Sequence, residues 1–301
     1  MKRPEQTKII PQKLIPLFKI LSDEASITGT LYRTHTALLG NDEPLSRRVH
    51  MLTPLLSSII TNTNGIGILV SAGLANESYI LLRSLYERCL NYSYLIVAPE
   101  DDFKRWFEHS LQKGYRLLRR ELIVSNFGIK VELKGHEEIW NTPEVADLMQ
   151  KYQRKNSKKE KQEWSTITKN RLDRIDWLSK AGKGIAWQPF VFVEALFFDE
   201  ASEAVHGTFY GSVFHRGFFD PTYRGKDKLA EDYDYSSLIL STTTVLLGTV
   251  VKAANLKMEN ANALTKSEEL VQKVAKVLKE EIQKIDPNEL EPSKRILKFD
   301  E

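Results

Sequence analysis

The chain has 301 residues, of which 42% are hydrophobic and 28% charged, a composition typical of globular proteins that excludes the collagen-like and wholly disordered classes. Its 43 basic and 40 acidic residues leave a formal charge of +3, which is too small to indicate nucleic-acid binding by the protein as a whole. The single cysteine, Cys89, excludes an intramolecular disulfide and a zinc site made of clustered thiolates.

Targeting and membrane-spanning segments are not predicted. Residues 1–12 contain no apolar stretch of signal-peptide length. The most apolar windows, around 66–74 and 237–251, are interrupted or shorter than the roughly 20 residues that a bilayer requires. These features predict a soluble, cytoplasmic protein.

Helical periodicity dominates the first hundred residues. Residues 9–21 and 45–60 each place their apolar side chains on one helix face. The second of these helices is expected to have Pro44 in its first turn and to end near Gly73. The segment 75–98 is apolar nearly all round, which is typical of a helix enclosed by others, so it is the candidate for the central helix.

The middle of the chain is less regular. Acidic residues follow Pro99 and begin another helix, whose buried face extends over 103–118. The periodicity breaks over 126–140, where a short alternation at 129–133 resembles one strand, although a loop is the favoured interpretation.

A run of basic residues lies between Lys151 and Glu163, where six lysines and arginines accompany two glutamates. Such a run is most often a solvated helix face or a mobile loop, and less often a patch that follows phosphates. Few aromatic residues lie nearby to stack on bases. If this run binds RNA, the phosphate contacts are expected from Lys155, Lys158 and Lys159.

The last third of the chain is predicted to be helical again, with an aromatic-rich part and a long buried helix. The expected helices cover 189–198, 201–214, 235–254 and 267–285, with a loop at 217–228. The sequence therefore predicts an all-α fold, a multi-helix bundle around a central buried helix with at most a minor strand element. We divide it into N-terminal helices (1–44), a helical core domain (45–255) and a C-terminal amphipathic helix with a polar tail (256–301).

Three polar residues of the segment 75–98 share one side of the predicted helix. Arg83, Glu87 and Asn91 are spaced four apart and therefore lie along one side of the helix. A buried ion without a partner costs several kcal/mol, so the charged pair must be matched, hydrated or directed into a cavity. A structural pair is the more common outcome. The functional alternative is a polar pocket in which the guanidinium holds a phosphate and the carboxylate accepts a proton.

A second polar constellation lies in the aromatic-rich part. Glu203 and His206 are one helical turn apart, and Tyr210 follows one turn later. A carboxylate beside an imidazole is a plausible acid/base unit, because it fixes the ring and raises the imidazole pKa. A single histidine in an aromatic helix is more often a hydrogen-bonded core residue.

No metal or cofactor is expected. Glu203 and His206 are half of the Glu-x-x-His signature by which helical bundles bind paired iron or manganese, and the matching half is missing. The HEPN class of helical ribonucleases places a histidine soon after an arginine, and Arg105 and His109 come closest but stand too near each other. Phosphate loops, dinucleotide fingerprints and nucleophile elbows are not found.

The segments 81–87 (LLRSLYE) and 202–207 (SEAVHG) resemble elements of a bacterial and archaeal family known as domain of unknown function 5677. The resemblance spans about 45–250. It implies an all-helical domain in which polar residues distant in sequence converge on one site, and it implies no particular activity. The positions that match are Arg83, Glu87, Trp187 and His206.

The leading functional hypothesis is an intracellular effector of bacterial defence, a metal-independent ribonuclease or another phosphodiester-directed enzyme. In this hypothesis His206 is the acid/base, Glu203 or Glu87 orients it, and Arg83 stabilises developing charge. Further substrate contacts are assigned to Asn91, Trp187 and Tyr210.

The rival hypothesis is a non-enzymatic helical interaction or regulatory module. The same polar residues would then be structural, and the amphipathic helix 267–285 would dock a protein partner or a second copy. The sequence leaves open whether the protein is an enzyme.

Overall fold

A computed structural model of the chain describes residues 12–37, 44–124, 127–132, 142–151, 170–181, 185–199, 201–202, 228–258 and 260–282. Within them the first helices are α1 (Ile15–Ala37), which follows a 3₁₀ turn at Gln12–Leu14, α2 (Pro44–Ser71), α3 (Ala75–Val97) and α4 (Glu100–Leu118). The next elements are β1 (Arg119–Val124), β2 (Phe127–Glu132), α5 (Pro143–Lys151), α6 (Arg171–Ala181) and α7 (Gln188–Val193). Helix α7 continues into a π-helical turn at Glu194–Phe198, and α8 (Lys228–Met258) and α9 (Ala261–Ile282) follow.

The predicted end of the second helix near Gly73 is confirmed. Helix α2 ends at Ser71, and Gly73 has a φ of 69°, a left-handed conformation that glycine adopts without steric cost. The amide of Leu74 donates to the carbonyl of Leu69 at 2.8 Å and that of Gly73 to Val70 at 3.0 Å. This is the Schellman pattern that closes a helix and sets the direction of the next one.

The expectation of an enclosed third helix is also confirmed. The side chains of α3 are buried on most sides, and its large residues Tyr86, Tyr92 and Tyr94 are fully inaccessible. Aromatic rings surround it, since Tyr79 packs at 5.3 Å from Phe197 between ring centroids. The fold class is all-α, with helices packed against helices, as the sequence predicted.

The chain forms two compact units, one made of residues 1–93 and 184–301 and the other of residues 94–183. The division into 1–44, 45–255 and 256–301 remains an interpretation of the sequence. In the first unit α8 packs against α1, α2, α7 and α9.

Helix α8 is the long apolar element of the first unit. Its stretch Tyr235–Met258 is, among the described residues, the one helix long and apolar enough to cross a membrane, and 72% of that window is buried inside the protein. It is thus longer than the apolar window read from the sequence, and its burial is typical of a core helix. As predicted from its Ser-Thr cluster, Thr243 and Thr244 donate to the carbonyls of Ile239 and Leu240 at 2.7 and 2.9 Å.

The second unit contains α4, α5, α6 and a β-hairpin, and α4 packs against α5 and β1. Strands β1 and β2 are antiparallel, with Leu122 opposite Ile129. The preferred loop assignment over 126–140 was therefore wrong for 127–132. The alternation there has a partner in 119–124, whose β-branched Ile123 and Val124 favour a strand over continuation of the preceding helix.

Candidate functional site

The polar face of α3 carries an ion pair at the protein surface. The Nε atom of Arg83 lies 3.6 Å from Oε1 of Glu87, one helical turn further on, with side-chain exposures of 20% and 43%. Both side chains are therefore partly exposed to solvent. Exposed pairs of this kind contribute about 0–1 kcal/mol to stability, so the arginine is not committed to a strong structural bridge.

The guanidinium of Arg83 lies over an aromatic ring. Its central carbon is 4.5 Å from the ring centroid of Phe198, and that phenylalanine is 6% exposed. A cation over a ring face is attracted by the negative π surface. The stack orients the guanidinium, whose N–H donors lie in one plane and match two oxygens of an anion.

A second carboxylate lies next to the same group of aromatic rings. The hydroxyl of Tyr86, a fully buried residue of α3, donates to Oε2 of Glu194 at 2.6 Å. The Tyr86 ring packs edge-on against Phe198 at 5.9 Å between centroids. Phe198 thus touches both Arg83 and the tyrosine that holds Glu194, which places two acids and one guanidinium around a shared aromatic support.

Sequence reasoning missed Glu194 and Phe198. Glu194 is the first residue of the π-helical turn that ends at Phe198, a distortion often found at functional sites. The available signal was a lone acid within the aromatic run 190–198. That signal is weak, because one glutamate in such a run is equally typical of a solvated helix position.

The structure brings together only part of the predicted site. Asn91 lies on α3, one turn beyond Glu87, and is half-buried. Trp187 is half-buried directly before α7, where its carbonyl accepts a hydrogen bond from the amide of Phe190 at 3.0 Å. The other predicted residues lie outside the described part of the chain; they are His206, Glu203, Tyr210, Lys155, Lys158 and Lys159.

The first residue of the basic run is described. Lys151, at the end of α5, has its Nζ atom 2.5 Å from Oε2 of Glu108 on α4. This lysine therefore holds two helices of the second unit together.

The second unit has its own polar cluster. The Tyr94 hydroxyl donates to Oδ2 of Asp102, and Arg105 Nη2 donates to Oδ1 of the same carboxylate at 2.9 Å. Burial raises the pKa of Tyr94 well above its usual value, with the Asp102 hydrogen bond and charge adding to the shift. His109 is 1% exposed. Of the two residues whose spacing comes close to that of the HEPN motif, His109 is thus buried in the core and Arg105 is exposed.

Metal-ligating clusters and cavities are the other features that bear on chemistry. Within the described ranges, no group of three or more His, Cys, Asp or Glu side chains is arranged to hold a metal ion. A groove of about 730 Å³ lies between α1 and α2, lined by uncharged residues that include Phe18, Leu21, Ile60 and Ile68. Neither Arg83 nor Glu87 belongs to that lining, so the groove is a separate feature.

The fold and the α3 face define a class of all-helical protein with an arginine and two acids on an aromatic support. Within this class, the model of a family of unknown function, DUF5677, matches residues 49–221, which is more than half of the chain. The chain belongs to this family. No significant match was found among curated proteins or among solved structures.

Proposed function

We propose that the α3 face is a phosphate-binding site and that the protein is a metal-independent enzyme directed at phosphodiesters, with RNA as its substrate class. The observation that carries this proposal is the position of Arg83. Its side chain is partly exposed, and its guanidinium stacks on Phe198 and is only loosely paired with Glu87 at 3.6 Å. Guanidinium groups in this state bind phosphate oxygens through two parallel hydrogen bonds.

The catalytic roles combine this geometry with the expectation from sequence. His206 removes the proton of the ribose 2′-hydroxyl, and the 2′-oxygen attacks phosphorus. The bond from phosphorus to the 5′-oxygen breaks, and the imidazolium returns the proton to that oxygen. Arg83 stabilises the charge on the phosphoryl oxygens, and Glu203 or Glu87 orients the imidazole. The products are a 2′,3′-cyclic phosphate and a 5′-hydroxyl.

The remaining predicted residues bind the substrate. Asn91 lies on α3 one turn beyond Glu87, Trp187 directly precedes α7, and Tyr210 follows the proposed catalytic histidine by four positions. Lys155, Lys158 and Lys159 attract the polyanion, which makes binding fall steeply with salt. The cytoplasmic, bacterial-defence setting that the sequence suggested belongs to the same proposal and rests on analogy.

The test is binding and cleavage of a fluorescent single-stranded RNA in the presence of EDTA. Arg83→Gln is expected to weaken binding at least tenfold, and His206→Ala to abolish cleavage with binding retained. Arg88→Gln is the matched control, because Arg88 lies on the same helix and its Nη1 contacts the Ser58 carbonyl at 3.4 Å. Equal binding by the wild type and Arg83→Gln would refute the proposal.

The second candidate is a non-enzymatic helical module, favoured by the contact of Tyr86 with Glu194. A fully buried hydroxyl bonded to a carboxylate at 2.6 Å is also what a purely structural link between α3 and the π-helical turn requires. A partner of the C-terminal helix would then meet its charged outer face, because its apolar residues Leu270 and Val274 pack against Ile20 within the chain. This candidate predicts no RNA binding and a large fall in melting temperature for Arg83→Gln.

A further inference from the structure

A carboxyl group is buried where three helices meet. Glu24 of α1 is fully inaccessible to solvent. Its Oε1 atom accepts a hydrogen bond from Oγ of Ser267 on α9 at 2.5 Å. Its Oε2 atom is buried and has no hydrogen-bond partner among the described residues. Among the described residues, only one of the two carboxyl oxygens therefore has a hydrogen-bond partner.

The third helix approaches closely because it presents a glycine. A Cβ atom at Gly248 of α8 would lie 3.4 Å from Ser267 Oγ, 3.9 Å from Glu24 Oε1 and 2.8 Å from a methyl carbon of Val271. The last distance is shorter than real Cβ contacts. A larger residue at this position of α8 would therefore require Val271 to move.

Charged side chains near the place where α1, α8 and α9 meet, here called the junction, are paired with an opposite charge or exposed to solvent. Lys252 of α8 is paired with Glu268 of α9 at 3.3 Å. On α1 itself, Asp23 and Lys19 are exposed. The part of α2 that faces this stretch of α1 contributes uncharged groove residues such as Ile60 and Thr63.

The same junction holds α9 on the bundle through an apolar contact. Leu270 and Val274 of α9 form a buried cluster with Ile20 of α1, and Val277 and Leu278 pack against it. These residues are the apolar face of an amphipathic helix whose other side carries lysines and glutamates. Detachment of α9 would expose that face and bring Glu24 into water.

We propose that Glu24 and Ser267 form a proton-operated latch: α9 stays docked while the Glu24 carboxyl is neutral, and ionisation of that carboxyl favours release of α9. The latch is independent of the proposed chemistry at Arg83. It regulates exposure of the α9 apolar face, which is covered in the closed state.

The direction of the pH effect follows from burial. Removal from water raises the pKa of Glu24 from 4.5 to about 7, although the Ser267 hydrogen bond opposes the shift. In the released state the carboxyl is hydrated and has its ordinary pKa. Release is therefore increasingly favoured as the pH rises from 4.5 through about 7, and the effect levels off above that value. Between pH 6 and 8 the opening equilibrium constant increases roughly tenfold.

The test is amide hydrogen exchange of the full-length protein at pH 6, 7 and 8, with rates expressed as protection factors so that the intrinsic pH dependence cancels. The protection factor of α9 is expected to fall roughly tenfold from pH 6 to 8 and to stay below that of α2, whose exchange reports global unfolding. Glu24→Gln removes the ionisation and is expected to abolish the fall. Asp23→Asn, at the exposed neighbouring position, is the matched control and should behave as the wild type.

A second variant keeps the test decisive if Glu24→Gln does not fold. Ser267→Ala removes the hydrogen bond that favours the charged carboxylate, so the fall in protection should continue to a higher pH than in the wild type. Unchanged α9 protection between pH 6 and 8 in the wild type, or α9 amides as strongly protected as those of α2 at every pH, would overturn the latch. A pH-dependent fall that persists in Glu24→Gln would overturn it too.

Discussion

Two groups of polar residues in the first compact unit differ in their exposure to solvent. On α3, Arg83 and Glu87 interrupt an apolar run yet remain 20% and 43% exposed. On α1, Glu24 and His35 lie in an ordinary amphipathic pattern yet are fully buried. The charged residues that stand out in the sequence are thus partly exposed and cost little free energy. The ionisable groups whose burial costs free energy do not stand out in the sequence. Burial, rather than the contrast with neighbouring residues, decides which ionisable group affects stability.

The difference assigns separate tasks to the two regions. In the proposed function, Arg83, which stacks on Phe198 and pairs with the partly exposed Glu87, exchanges that carboxylate for a phosphate. A buried carboxyl and a buried imidazole cannot exchange partners without opening the bundle. Glu24 and His35 are therefore expected to affect how the free energy of unfolding changes with pH.

Glu24→Gln is expected to produce the largest change in stability. Because burial raises the pKa of Glu24 from 4.5 to about 7, the folded state retains a proton that the unfolded state releases. Stability is lost as the pH rises through this interval. The variant should be more stable than the wild type by about 3 kcal/mol at pH 8 and by less than about 1 kcal/mol at pH 5.

Urea unfolding at the two pH values measures this difference, and Asp23→Asn again serves as the control. A gain for Glu24→Gln that is the same at pH 5 and pH 8 would show that the effect is not ionisation.

His35→Gln should change the pH dependence in the opposite direction. Nε2 of His35 lies 2.9 Å from the Tyr92 hydroxyl, and burial lowers the His35 pKa from 6.5 to about 4. The unfolded state therefore binds a proton that the folded state excludes, and wild-type stability falls as the pH drops from 6.5 to 4. At pH 5 this term is about 2 kcal/mol.

The variant loses the Tyr92 hydrogen bond but also loses this acid sensitivity. Its stability relative to the wild type should therefore improve from pH 7 to pH 5, as followed by urea unfolding. His50→Gln is the control at an exposed histidine. If His35→Gln were equally harmful at both pH values, the imidazole would not be held neutral by burial.

Gly248→Ala tests the close approach of α8 without altering any charge. The new methyl group would meet Val271 at 2.8 Å, so overpacking outweighs the gain in helix propensity and the net loss is about 1–2 kcal/mol. Gly67→Ala is the matched substitution in α2, where a Cβ atom would meet nothing within 4 Å. It should stabilise the protein by about 0.5–1 kcal/mol. Melting temperatures that shift in the same direction for both variants would contradict the tight junction.

Arg83→Gln is expected to have the smallest effect on stability. Its ion pair is exposed and its distance to Glu87 is 3.6 Å, so the loss should be below about 1 kcal/mol and should shrink further in high salt. Denaturant unfolding at low and high salt checks this. A loss of several kcal/mol would mean that the α3 face is a structural element rather than a ligand site.

The sequence predicts most of the helices because their signals are local. The end of α2 at Gly73 and the backbone hydrogen bonds of Thr243 and Thr244 depend only on residues within one or two turns. Helix α9 begins earlier than predicted, at Ala261, because Asn260 accepts a hydrogen bond from the amide of Ala263 at 3.1 Å.

The missed features depend on contacts between distant residues. Strand β2 required β1 as a partner, and Glu194 became a site candidate only through Tyr86, 108 positions earlier. Ser267 and Glu24 are 243 positions apart. Helical spacing places Glu24 on the same face of α1 as Ile20 and Leu31, but it cannot show which distant residue is its hydrogen-bond partner. The proposed role of His206 remains a prediction, since that residue lies outside the described part of the chain.

The side-chain Nε–H resonance of Arg83, followed by NMR while a short single-stranded RNA is added, tests the proposed phosphate site most directly. Occupation of the guanidinium by a phosphodiester predicts a saturable shift of that resonance and none for Arg88, with the effect lost in high salt. An Arg83 signal that stays unchanged at saturating RNA would contradict the assignment of the α3 face to ligand binding.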